Sequence, residues 1–320
     1  MVGAAVRRVV RRLAQAVPLL LVVSVLVFAL LHAAPGGPLD VYLGSPNVRP
    51  EDVARLKRAM GLDQPLPVQY VAWLAAFVRG DWGYSFVDGR PVITRLLERV
   101  PATLELMVTS IAIALVVSVG VAVVRATRGG TRVARLADAL SIAGISLPVF
   151  WLGLVLQLVF AVSLRWLPSS GRATLPGAGS GDALSHLILP AAVLAAVHAA
   201  AWSRYLGASL AGALRAPFVR AARSRGVPPR GILWRHAMRN ALLPFVTVVL
   251  LDSALMVSGA VVTESVFAWP GLGGLFSDSL ARRDYAVLMA FLMASSAAIV
   301  ALNLVADLSY EVLDPRTRER

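Results

Sequence analysis

Between Ala216 and Pro244 the chain reads APFVRAARSRGVPPRGILWRHAMRNALLP, a pattern that dictates a helix, a turn and a second helix. Phe218 to Arg225 can coil as one short basic helix, Gly226 supplies the left-handed residue that ends it, and Pro228-Pro229 prevents the coil from simply continuing. Gly231 to Asn240 then leads back toward Leu243-Pro244. The stretch is dense in arginine: Arg215, Arg220, Arg223, Arg225, Arg230, Arg235 and Arg239. Two readings fit that composition. One is a basic loop that only fixes orientation in a membrane. The other is a short rigid helix, cantilevered from two membrane spans, that inserts into a groove on a cytoplasmic partner and transmits its movement, with Arg220, Arg223 and Arg225 making charge-assisted contacts.

Working outward, apolar runs flank this stretch: Leu184 to Tyr205 before it and Ala241 to Val262 after it. Others occupy Leu13 to Leu31, Thr103 to Val124, Ala139 to Ser163 and Tyr285 to Leu308. Each is about 20 residues long, which is what the hydrocarbon thickness of a bilayer requires. The expected architecture is an all-α membrane protein with six transmembrane helices. Composition agrees: 58% of residues are hydrophobic and 15% charged, against about 25% charged in ordinary soluble domains, and the mean hydropathy is +0.72.

The first run follows Arg7, Arg8, Arg11 and Arg12. Its apolar part is longer than a signal-peptide core and no small-x-small cleavage site precedes a soluble polar domain, so it reads as a membrane helix. Arg125, Arg128, Arg132 and Arg135 crowd one short connection, whereas Leu164 to Asp182 carries only Arg165 and Arg172. Basic connections stay inside, which puts both termini in the cytoplasm, including the tail with Arg316, Arg318 and Arg320. The net charge of +13 therefore sits in short stretches between apolar runs. A nucleic-acid face would interleave basic and aromatic residues along one surface, so no nucleic-acid partner is expected.

Three regions follow. Residues 1–100 hold the first helix and an external helical segment, 101–310 a five-helix core with a cytoplasmic loop at 209–240, and 311–320 a cytoplasmic tail. Within the external segment, Pro50 begins a short helix with Glu51 and Asp52 in its first turn, Lys57 and Arg58 in its last, and Gly61 as the stop. A second helix runs from Pro67 to Val78 and ends at Gly80-Asp81-Trp82-Gly83.

Catalytic constellations are scarce. The chain has no cysteine, hence no disulfide and no thiolate site. His32, His186, His198 and His236 lie on separate segments without a ligand-like spacing, and are read as packing within helices or at their ends. No GxSxG turn is present. Lys57 is the only lysine, so the phosphate-cradling GxxxxGK[ST] cannot be written anywhere in the chain. No catalytic residue, metal or cofactor is assigned to this chain, and any ATP hydrolysis belongs to another subunit.

Ionisable or polar residues within spans are candidates for a transport pathway, because lipid penalises them unless they face a cavity or a partner. Asp252, midway along VVLLDSALMV, admits two readings: it faces the passage and attracts a cationic group of the cargo, or it pairs with a group of a partner chain. Glu264, just before Phe267-Ala268-Trp269-Pro270-Gly271, either caps an external gate together with Trp269 or is a solvated acid beside an interfacial aromatic anchor. Gln157 and Asn303 are weaker candidates, since interhelical hydrogen bonds explain many such residues.

At Arg220, Ala221, Ala222 and Gly226 the chain resembles the binding-protein-dependent ABC importer permeases, whose cytoplasmic loop carries EAA, three residues, then Gly. The Glu position of that pattern is Arg220 here. The resemblance to the peptide and nickel branch covers nearly the whole chain: Pro35-Gly36-Gly37-Pro38, GLDQPLPVQYVAWL, GDWGYS, RVPATLEL, HLILPA, TESVFAWPGLGGLF (Thr263 to Phe276), RRDYAVL (Arg282 to Leu288) and the ending DPRTRER. It looks like the first of two permeases of a peptide importer, which implies that the group Asp252 would attract in the passage is a peptide's amino terminus.

That resemblance implies a type I importer permease fold in a bacterial inner membrane. It implies a second homologous permease, two ATPase subunits that hold ATP and Mg and couple through Phe218, Arg220, Ala221, Ala222, Arg223, Arg225 and Gly226, and an external substrate-binding protein. Two other classes stay open on the residues alone: an ion-coupled secondary transporter, for which only Asp252 is a clearly central acid, and a non-transporting membrane scaffold.

Overall fold

A computed structural model describes residues 2–33, 51, 55, 58, 61–174 and 179–313. Pro35 to Pro38, most of the helix expected from Pro50, and the tail 314–320 lie outside the described residues. Among the described residues the structure is helical, with one isolated antiparallel bridge, Tyr84 to Pro91. Among the described residues five helices are long and apolar enough to cross a membrane, and the number of crossings rises to six if a bent helix pair is counted as one span. The chain divides into two compact units, one of Met1–Pro101 and Gly274–Val300, the other of Ala102–Gly273 and Ala301–Arg320.

In the first unit, α1 (Val2–Ala33) is followed by α2 (Leu66–Val78). Pro65 and Pro67 frame the start of α2, where a missing N–H costs nothing. The two helices meet through aromatic rings: Phe28 lies edge-on to Tyr70 at 5.5 Å between centroids, and Ser24 Oγ lies 2.8 Å from Tyr70 Oη. Phe77 stacks on Trp82 at 4.9 Å, and the Trp82 indole N–H donates to Phe77 O at 3.2 Å. The turn after α2 then carries GDWGYS back toward α3 (Val92–Thr127).

A buried carboxylate fixes that turn. Asp284, 1% exposed, accepts from Ser85 Oγ at 2.5 Å, from the Phe86 N–H at 3.2 Å and from Arg95 Nη1 at 3.1 Å. Arg95 also lies 3.4 Å from Asp88. GDWGYS and RRDYAVL, far apart in the chain, thus meet in one ion-paired knot.

The second unit is organised around α6 (Ser180–Arg215), which packs along α8 (Arg239–Val266) and against α4 (Arg132–Ser146). Its core joins Leu106, Ala114 and Ala122 of α3, Leu194, Trp202, Leu206 and Leu210 of α6, and Phe245, Val249 and Met256 of α8. Small residues let α4 approach α6 closely. A Cβ on Gly144 would lie 2.9 Å from Ala200 Cβ, and Ser141 Oγ meets Ser203 Oγ at 3.2 Å; such residues are how helices pack tightly where lipid supplies no hydrophobic drive.

The apolar run Ala139 to Ser163, expected as one continuous span, is broken. α4 ends at Ser146, Leu147 is extended (ψ 131°), and after Pro148 the chain resumes as α5 (Val149–Leu156), continuing as a wider π-helical stretch over Gln157–Ser163. The two halves differ in direction by 112°. Proline disfavours the helical conformation in the residue before it, and here that local rule overrides the apolar continuity.

Candidate functional site

The stretch from Ala216 folds as its residues dictate. Ala216 is extended (ψ 152°), Pro217 takes the first helical position, and α7 spans Pro217–Ser224. Gly226 has φ +76°, its N–H donates to Arg223 O at 3.0 Å, and the Val227 N–H donates to Ala222 O at 3.2 Å. This pair of bonds is a Schellman cap with glycine at its left-handed position. Val219 and Ala222, both fully buried, pack with Ile232, Leu214 and Val227 and hold α7 in place. Arg220, Ala221, Arg223, Arg225 and Gly226 are exposed, as is Phe218 at 39%. The α7 helix therefore has one side anchored and the other, basic with one aromatic ring, open. Pro229–Gly231 and the π-helical stretch Ile232–Met238 then lead into α8.

Halfway along α8, Asp252 is held within its own chain. Its Oδ2 accepts from the Trp202 indole N–H at 2.6 Å and from His198 Nδ1 at 2.7 Å, both on α6. Sequence reasoning offered the passage or a partner chain as its surroundings and missed these two donors. His198 packs within its helix as expected, but around a charged partner. The Asp252 side chain keeps 27% of its surface exposed.

Glu264 is fully buried rather than the solvated acid of one of the two readings. Its Oε1 accepts from Thr103 Oγ1 at 2.6 Å and its Oε2 from the Gly273 N–H at 2.6 Å. Thr103 Oγ1 also accepts from the Leu272 N–H at 2.8 Å. The chain after Val266 folds back over the carboxylate, with Ala268 at φ +47°. A Cβ on Gly271 would collide with the carboxylate, and one on Gly273 with Val261. The glycines of PGLGG thus let backbone approach a buried acid, a use of glycine that needs no Cβ rather than a special φ. Trp269, 1% exposed, donates its indole N–H to Ala102 O at 2.8 Å.

Gln157 Nε2 donates to Ser169 O at 2.8 Å and Val266 O at 3.1 Å, pinning the loop after α5 to the end of α8. Asn303 lies half-buried on α10 (Tyr285–Leu313), which follows α9 (Leu272–Ala281). Among the described residues no group of three or more His, Asp or Glu side chains is placed to hold a metal ion. Sequence reading missed Trp202, Thr103 and Gly273 as partners of the two acids. Only RVPATLEL and PGLGG, as unusual local motifs, hinted at the last two.

Comparison with known proteins gives a consistent picture. The family described as "Binding-protein-dependent transport system inner membrane component" matches residues 117–319, and its N-terminal counterpart matches residues 5–107. The chain is 38% identical over 310 residues to the oligopeptide transport system permease protein AppB of Bacillus subtilis, covering 96% of this chain and 98% of that one. It is 36% identical over 310 residues to the glutathione transport system permease protein GsiC of Escherichia coli K12, covering 97% and 98%. Among solved structures, the inward-facing MetNI methionine ABC transporter aligns with a TM-score of 0.52 at 19% identity, over 70% of this chain and 98% of that one. An amino acid ABC transporter aligns at 0.52 and 13% identity, over 68% and 92%. Those two likenesses establish the fold, the type I importer permease.

Proposed function

We propose, because this chain belongs to the family of binding-protein-dependent transport system inner membrane components, that it forms with a second, homologous permease the passage by which small peptides enter the cell. The chain is a multi-pass inner-membrane permease subunit of an ABC importer, without an ATPase site of its own. The ion-coupled carrier and the scaffold are not favoured beside such relatives. Peptide cargo is supported by the names of the relatives, oligopeptide and glutathione permeases among them.

In the proposed assembly, two ATPase subunits hold ATP and Mg, and an external binding protein delivers the cargo. Both termini are proposed to lie in the cytoplasm, a reading supported by the arginine-rich connections. The observation that carries the coupling role is α7: a capped helix with Val219 and Ala222 anchored while Phe218, Arg220, Ala221, Arg223 and Arg225 stay exposed. Its rigidity comes from the cap at Gly226. ATP binding would close the ATPase pair and carry α7 with it, and the energy comes from the different affinity of ATP for the two states. Asp252, Glu264, Trp269, Gln157 and Asn303 are proposed for the passage and its outer gate, with Glu264 and Trp269 acting as the buried fastening of the gate rather than as surfaces touched by cargo.

The test is reconstitution. The chain, assembled in liposomes with a second permease and two ATPase subunits, is expected to take up dipeptides only with ATP and loaded binding protein. Uptake by the isolated chain driven by a proton gradient would overturn the proposal.

A further inference from the structure

Asp252 is bonded in a lopsided way. A carboxylate only accepts, so the imidazole Nδ1 and the indole Nε1 both donate, and both reach the same oxygen, Oδ2. No hydrogen bond reaches Oδ1 among the described residues. The side chain retains 27% exposure, so one edge of the carboxylate is gripped and the other is presented. The grip comes from the middle of α6 and the acid from the middle of α8, which puts the presented oxygen near the midplane of the bilayer. An acid edge facing acyl chains there is penalised. A water-filled passage removes that cost.

The surroundings narrow what such an edge can bind. Leu251 and Leu255, on the same helix, are 41% and 62% exposed. Leu255 lies one turn on from Asp252 and therefore beside it. A fixed anion next to aliphatic surface suits a cation that carries an apolar body. A bare metal ion would want more ligands than one carboxylate and one imidazole, and the imidazole nitrogen nearest the acid is already occupied as a donor.

From this, and resting on the importer reading above, we infer that Oδ1 of Asp252 is a midway subsite for the primary ammonium group of the cargo, with Leu251 and Leu255 beside the adjoining side chain. His198 and Trp202 are positioning residues: by holding Oδ2 they fix which oxygen the ammonium meets. The subsite confers a preference for a free amino terminus inside the passage, separate from any selection made by the external binding protein.

The chain's lack of cysteine gives a direct test. In the assembled complex, Leu255→Cys is treated with methanethiosulfonate reagents bearing either an ammonium or a sulfonate group. Adducts are read on this chain by mass, with rates normalised to a free thiol in solution. The expected result is at least a tenfold preference for the ammonium reagent. Adding Asp252→Asn should reduce it to about twofold or less. A mixture of dipeptides with free amino termini should slow modification, and the same mixture amino-acetylated should not. Equal rates for the two reagents, a preference that survives Asp252→Asn, or no adduct with either reagent would each overturn the subsite. If Asp252→Asn fails to assemble, the reagent ratio and the competition by free against acetylated dipeptides decide the matter in the Leu255→Cys complex. ATP-dependent uptake measured beforehand in that complex and the wild type separates the two claims: uptake without charge preference refutes the subsite alone, and absence of uptake in the wild type refutes the importer reading.

Discussion

Replacing Thr103 by valine keeps the shape of a side chain 5% exposed and deletes one hydroxyl. That hydroxyl makes two bonds at once: it donates to Glu264 Oε1 at 2.6 Å and accepts from the Leu272 N–H at 2.8 Å. Losing a hydrogen bond to a charged acceptor costs about 1.5–3 kcal/mol, and stranding a shielded N–H about 1–3 kcal/mol. The two losses share one atom and do not simply add, so the expected destabilisation is about 3 kcal/mol. At about 1.4 kcal/mol per factor of ten, the ratio of folded to unfolded chain falls by about a hundredfold. Thr103→Ser retains both bonds and gives up one methyl group, for a cost of about 1 kcal/mol. Pulse proteolysis across a denaturant series in detergent micelles measures both variants. A valine variant within about 0.5 kcal/mol of wild type, or a serine variant as unstable as the valine one, would refute the reasoning.

Gly226→Val forces a β-branched residue to φ +76°, at a cost of at least about 1–2 kcal/mol, and should abolish stimulation of ATP hydrolysis by loaded binding protein. Because an added Cβ meets nothing within 4 Å, the strain lies in the backbone, and Gly226→Asn should retain most of the stimulation. Asp284→Ala removes the acid that holds Ser85, Phe86 and Arg95; breaking such a shielded ion pair costs about 3 kcal/mol, and proteolysis between Ser85 and Arg90 should become faster. For Asp88, burial raises the acid's pKa, but the Arg90 N–H, Ser85 and the charges of Arg95 and Arg90 outweigh it and hold the carboxyl below the usual range. A depressed folded value means the stabilisation is full above the unfolded value near about 3.9 and is lost as pH falls below it. Protection of the Ser85–Arg90 turn against hydrogen exchange, taken relative to the intrinsic rate at each pH, should fall from pH 5 to pH 3, and Asp88→Asn should flatten that dependence.

Local rules carried much of the sequence reading. The Gly226 stop and the apolar length of five of the six spans each depend on neighbouring residues, and each is found in the structure near where the residues put it. What could not be read is distant pairing: Glu264 meets Thr103 from 161 residues away, and Asp284 meets Ser85 from 199. Nothing in a single sequence marks which hydroxyl will find which acid. The bend at Leu147 was readable in principle, since Pro148 restricts its predecessor, but the apolar run on either side concealed it. Asp252 is intermediate. Its presence in mid-span marked it as a candidate, while the identity of its donors depended on α6 and α8 lying side by side.

α6 is a rod of 36 residues with Pro190 inside it. At 1.5 Å per residue, Arg215 lies about 37 Å beyond that proline and His198 about 12 Å. Proline removes one rung of the helical ladder, so bending is easiest there. A swing of about 5° about Pro190 would carry the end that leads into α7 sideways by about 3 Å and His198 by about 1 Å, geometry that follows from those lengths. A displacement of 1 Å is enough to sever a 2.7 Å hydrogen bond. The helix would thus act as a lever: a stroke delivered at its Arg215 end would arrive at His198 divided by about three, still large enough to loosen the imidazole from the acid.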